Sequence, residues 1–131
     1  MQSHGNHSTP MAKFKIFGII SIIVFATTVP ITFAHVTHPG MIYHILVHVA
    51  SLIIAVFLSF ISVTAYLRDG RLRLMFMSFG FITLAVLELL LLLAATGNID
   101  QQIIPSINVE FSHVLLLVMI TLFGVGVLKV N

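Results

Sequence analysis

Four of the chain's seven histidines fall inside one stretch, AHVTHPGMIYHILVHVASL at residues 34–52, as His35, His38, His44 and His48. Imidazole titrates near neutrality, donates and accepts hydrogen bonds, and ligates metals through either nitrogen. His44 and His48 stand at i and i+4, so a helix would project both rings from one face, the usual spacing of a helical two-imidazole metal pair. Elsewhere the ionisable groups are sparse. Glu88 lies in LAVLELLLLLAA, and Glu110 stands three residues before His113. Imidazole combined with carboxylate suits copper, zinc or iron. The same groups can instead hydrogen-bond one another and fix helix register. The chain has no cysteine, hence no thiolate ligand, no thiol nucleophile and no disulfide. Its six methionines are spread singly and form no thioether ladder. Nucleophile-elbow, phosphate-loop and dinucleotide-loop patterns are absent from the sequence.

The elements that must carry these residues are set by composition. Of 131 residues, 59% are hydrophobic and 8% charged, with a mean hydropathy of +1.15. Soluble domains carry roughly 25% charged residues. A chain of 14.4 kDa cannot bury that much apolar surface in itself, so lipid must cover it. The net charge of +2 rests on six basic residues, far too small a footprint for nucleic acid.

Four apolar segments follow. They are expected at residues 14–34, 41–67, 72–95 and 109–128, after a polar, disordered tail at 1–13. Each reaches the ~20 residues that cross a hydrocarbon core, and in lipid such segments must be helices. The first also reads as a signal peptide, with Lys13 and Lys15 before it and Thr32 and Ala34 at the −3 and −1 positions of a cleavage site. Met11 is an alternative start, which leaves His4 and His7 with little weight. The fold class is therefore all-α: an integral membrane bundle of four transmembrane helices, or three if the first is removed. Pro39–Gly40 marks the start of the second helix, Asp69–Gly70 the tight turn between the second and third, and TGNIDQQIIPSIN a longer loop before the fourth.

Orientation follows from the basic residues. Lys13 and Lys15, then Arg68, Arg71 and Arg73, then Lys129 all fall on one side if the segments alternate. Both termini are then cytoplasmic before any cleavage, in a multi-pass protein of the cell membrane. At about 1.5 Å per residue, His48 lies roughly 10 Å below Met41, and Glu88 is at a similar depth below Ala95. His35, His38, His44, His48, Glu88, Glu110 and His113 all then lie in the outer half. In the second segment His44, His48, Ser51, Ala55, Ser59 and Ser62 make one polar, small-residue stripe facing other helices. Ser78, Phe81, Ala85 and Glu88 share a face of the third. Glu110, His113, Leu117, Thr121 and Gly124 share one of the fourth. Glu88 is costly at that depth without a partner or a proton, and His48 and His113 are the candidates.

The segment AYLRDGRLRLMFMSFGF, residues 65–81, resembles a pattern in small polytopic archaeal membrane proteins of unknown function, a Tyr-x-Arg-x-Gly turn followed by an apolar run and Gly-Phe. Here the pattern falls on Tyr66, Arg68, Gly70, Gly80 and Phe81. The resemblance spans residues 43–128 and implies a three- or four-helix unit with no stated activity. The FAH junction at 33–35 is similar to those of exported copper proteins of ammonia-oxidising archaea, which implies an accessory subunit of a membrane copper enzyme such as an ammonia monooxygenase.

The expected function is a small accessory subunit of a membrane complex, in contact with lipid and other membrane subunits. It would carry an outer copper or zinc pocket built from His44, His48, Glu88 and His113, with His35 and His38 at its mouth. If cleavage made His35 the N-terminus, its amine and imidazole would chelate one copper together. Two alternatives stay open: a purely structural or assembly subunit with no cofactor, and a b-type haem carrier ligated by His48 and His113. An enzyme acting alone is not expected, because the sequence offers no base–nucleophile pair.

Overall fold

Backbone groups in hydrocarbon have no water to bond, so each apolar segment closes its own hydrogen bonds as a helix. A computed structural model of the chain describes residues 10–34, 36, 39–99, 103–104 and 109–128. Among these residues the order is α1 (Pro10–Phe33), α2 (Pro39–Asp69), α3 (Leu72–Ala95), β1 (Ile103–Ile104), β2 (Val109–Glu110) and α4 (Phe111–Leu128). All four helices are long and apolar enough to cross a membrane. The chain is an all-α, multi-pass bundle, with one two-residue antiparallel ladder in the α3–α4 connection, where Ile103 pairs with Glu110 and Ile104 with Val109.

The boundaries differ from expectation in three of the helices, each for a local reason. α1 begins at Pro10 rather than residue 14, because proline in a first helical turn gives up an N–H that would have no acceptor there. Residues 10–13 are thus helix, not tail. α2 runs from Pro39 to Asp69 rather than 41–67, opened by the same device and closed by Gly70. Gly70 takes φ +64° and its N–H bonds Tyr66 O at 2.7 Å, a single left-handed cap. α4 starts at Phe111 instead of 109, because Val109 and Glu110 are held by the ladder. α3 ends at Ala95, as expected, and closes in a Schellman arrangement. Gly97 takes φ +71°, its N–H bonds Ala94 O at 3.0 Å, and Asn98 N–H bonds Leu93 O at 3.0 Å.

Consecutive helices pack in antiparallel pairs. Phe17 near the start of α1 meets Phe57 in the second half of α2, with ring centroids 5.2 Å apart and edge to face. α3 packs against both α2 and α4, and α2 and α4 are not themselves a packed pair. The core lies between α1, α2 and α3, where Val24, Ile45, Val49, Leu52, Ile53 and Leu92 are buried together. Ala55 on α2 is fully buried. Such contacts hold a membrane bundle through close packing rather than through exclusion of water.

The α3–α4 interface rests on glycine. A Cβ on Gly80 would sit 2.8 Å from the Phe123 ring, so the ring lies on the bare backbone of α3. Phe81 also packs against Phe123, edge to face with centroids 4.9 Å apart. Gly126 is buried, and a Cβ there would come 3.3 Å from Phe76 Cβ and 3.4 Å from Arg73 O. This sets the rotation of α4. Its expected polar face is turned away from the bundle: His113, Leu117, Thr121 and Gly124 are all exposed. The reason is steric, since Phe123 and Gly126 fit α3 and the face of Gly124 meets nothing within 4 Å. Thr121 needs no neighbour, because its hydroxyl donates to Leu117 O at 2.8 Å within its own helix.

Candidate functional site

The α2–α3 hairpin brings His48 and Glu88 together. The αL turn at Gly70 sends α3 back along α2, and forty residues apart in sequence the two side chains meet. His48 Nδ1 lies 2.8 Å from Glu88 Oε2. With the proton on Nδ1 the ring donates to the carboxylate; with the proton on the carboxyl, its O–H donates to Nδ1. Either way one proton satisfies two groups that lipid could not. Each side chain keeps only 16% of its surface accessible. Val49, next to His48, and Leu92, one turn beyond Glu88, are core residues, so the pair sits on the edge of the packed core.

His44 lies one turn nearer the N-terminal end of α2. Its ring stands edge-on to that of His48, with centroids 4.7 Å apart and planes at 89°. Unlike His48, it is exposed. Two imidazoles and one carboxylate therefore occupy one end of the α2–α3 face. The rest of the expected α2 stripe does face inward: Ala55 is buried and Ser51, Ser59 and Ser62 are half-buried. Its hydroxyls do not all bridge helices, since Ser59 Oγ donates to Ala55 O at 2.7 Å. On α3, Ser78 is buried and donates to Leu74 O at 2.7 Å.

His113 does not join this group. It sits in the first turn of α4, 66% accessible, with Nδ1 3.6 Å from Glu110 Oε2. That separation is an ion-pair contact rather than a hydrogen bond. Ser112 Oγ donates to Glu110 Oε2 at 3.3 Å. The expected four-residue pocket thus divides in two: His44, His48 and Glu88 on α2–α3, and His113 with Glu110 at the N-terminal end of α4. The physical cause is the rotation of α4 about Phe123 and Gly126. Among the described residues, no three His, Asp or Glu side chains gather closely enough to hold a metal ion. His48 stands on α2 and His113 on α4, helices that are not a closely packed pair. His35 and His38 lie outside the described residues, as do His4, His7 and Lys129.

At the opposite end of the bundle lie Lys13 and Lys15 of α1 and Arg68, Arg71 and Arg73 around the α2–α3 turn. Arg68 Nε bonds Asp69 Oδ1 at 2.8 Å. The described basic side chains are thus gathered at one end and the histidine–glutamate groups at the other, the polarity expected of the sequence. Sequence reasoning did not find the seat of Phe123 on Gly80. The available signal was a glycine flanked by phenylalanines in SFGF.

Comparisons with protein-family models, with curated proteins and with solved structures give no match to this chain.

Proposed function

We propose that the chain is a small accessory subunit of a larger complex in the cell membrane, and that His48–Glu88 is the clamp that fixes its central hairpin. The observation that carries this is the 2.8 Å contact between the two side chains. A lone carboxylate at that depth costs several kcal/mol, so a paired one is retained for register or for chemistry. α2 and α3 then present a fixed outer end, His44 included, for other subunits to meet. Lys13, Lys15, Arg68, Arg71 and Arg73 place the opposite end in the cytoplasm by the positive-inside rule. α1 is read as a retained transmembrane helix, because Val24, Thr28 and Thr32 are buried within the bundle.

A second reading is favoured by the edge-on pairing of His44 and His48. With Nδ1 of His48 engaged by Glu88, Nε2 is the nitrogen left for copper or zinc. Glu88 would then orient a ligand rather than be one, the usual carboxylate–histidine–metal relation. His44 supplies a second imidazole, and His35 or His38 would have to supply a third. Such a subunit would handle metal for a membrane copper enzyme.

Affinity purification of the tagged full chain from native membranes, with elemental analysis of the same sample, tests both. The assembly reading expects co-purified subunits with no stoichiometric metal. Partners and one copper or zinc per chain, lost in His44→Ala, would favour the second. A lone chain without partners would contradict both.

A further inference from the structure

The basic end of the bundle carries a groove of about 390 Å³ between α1 and α2, lined by Pro10, Lys13, Phe14, Phe17 and Phe57. That is within the range of ligand clefts, roughly 300–1,000 Å³. Its form follows from helical spacing. Pro10, Lys13, Phe14 and Phe17 stand at i, i+3, i+4 and i+7, so one face of α1 presents two phenyl rings and the aliphatic stem of Lys13. Phe57 of α2 forms the far wall, edge-on to Phe17. Phe14 is 77% exposed, so the groove opens sideways to lipid. Lys13 forms no ion pair among the described residues.

We propose that this groove holds one anionic phospholipid, its phosphate on Lys13 and an acyl chain along Phe14, Phe17 and Phe57. Three observations choose this occupant. The lining is wholly apolar and includes the stem of Lys13 but not its ammonium, the complement of a hydrocarbon tail whose charged headgroup stays at the rim. The cation lies at the basic end of the bundle, the side where anionic lipids concentrate and where basic pockets between helices take their headgroups. Finally, helices that dock closely present small residues to each other. This face offers large rings around a gap, which a flexible chain fills and a rigid helix does not.

The test is native mass spectrometry of the full chain released from micelles containing equal phosphatidylglycerol and phosphatidylcholine. The expected result is one retained phosphatidylglycerol per chain. Lys13→Gln should reduce its retention about fivefold, the worth of one basic contact near a membrane surface. Lys15→Gln, on the other side of the helix, should leave it unchanged. Phe17→Ala should weaken both lipids, with helix content checked by circular dichroism. Equal retention of the two lipids, or equal effects of the two lysine variants, would overturn the proposal. A dimer of the chain that excludes lipid and dissociates on Phe14→Ala would assign the groove to a second copy and overturn it too.

Discussion

His48 and Glu88 stand forty residues apart in sequence and 2.8 Å apart in space, on adjacent antiparallel helices. Each alone would be an unsatisfied ionisable group among apolar side chains. Together they share a proton and tie α2 to α3 beside Val49 and Leu92. The His44 ring stands edge-on to that of His48, and on the proposed reading this end of the hairpin is where partners or a metal would be met.

Removing His113 should cost little. Its contact with Glu110 is 3.6 Å long and largely exposed, and such pairs contribute ~0–1 kcal/mol. His113→Ala is therefore expected to unfold within about 0.5 kcal/mol of the parent chain in a detergent-titration assay. A loss several times larger would mean that α4 is turned toward the α2–α3 group in the membrane.

Alanine at the glycines of the α3–α4 interface should rank by the space each has. Gly80→Ala places a methyl against the Phe123 ring and should destabilise by about 1–3 kcal/mol, the usual cost of overpacking. Gly126→Ala is tighter than ordinary contact and should cost less. Gly124→Ala meets nothing and should be neutral or slightly stabilising through helix propensity, up to ~1 kcal/mol. The same unfolding assay checks the order, and a reversed order would place a different face of α4 on α3.

The absence of cysteine makes orientation directly readable. Asn98→Cys should react with a membrane-impermeant maleimide added to intact cells. Leu67→Cys, beside the basic turn, should react only after the membrane is opened. The opposite pattern would invert the bundle.

Metal binding separates the two functional readings by residue. If copper or zinc binds through Nε2 of His48, His44→Ala and His48→Ala should each abolish metal-dependent thermal stabilisation. Glu88→Gln should weaken it about 10–100-fold, as loss of an orienting carboxylate does. His113→Ala should change nothing. Equal sensitivity to His113 and His44 would restore a pocket spanning α2, α3 and α4.

Much of this architecture was legible in the residues. The length of each apolar run set the four helices, and the lysines and arginines marked one end. Counting depth from the helix ends placed His48 and Glu88 level, because hairpin geometry leaves little freedom once Gly70 fixes the turn. The rotation of α4 was not legible. Glu110, His113 and Thr121 looked like an inward stripe, yet Thr121 bonds its own helix and His113 lies in the first turn of α4, where water and headgroups can solvate it. What oriented α4 was a shape match between Gly80 and Phe123, which hydropathy does not register. The strands at Ile103–Ile104 and Val109–Glu110 were too short to produce a periodic pattern.

The clamp between α2 and α3 is tested most directly by a double-mutant cycle on His48→Ala and Glu88→Ala, read as unfolding free energy in a bilayer mimic. Interhelical hydrogen bonds in membranes average ~0.6 kcal/mol and reach ~1.7 kcal/mol. A pair containing a carboxylate and keeping only 16% accessibility is expected near the upper part of that range, with a coupling of about 1–1.5 kcal/mol. The double variant should then be less damaged than the sum of the singles. Strict additivity, with a coupling below about 0.3 kcal/mol, would show that the two groups do not hold the hairpin and would contradict the clamp.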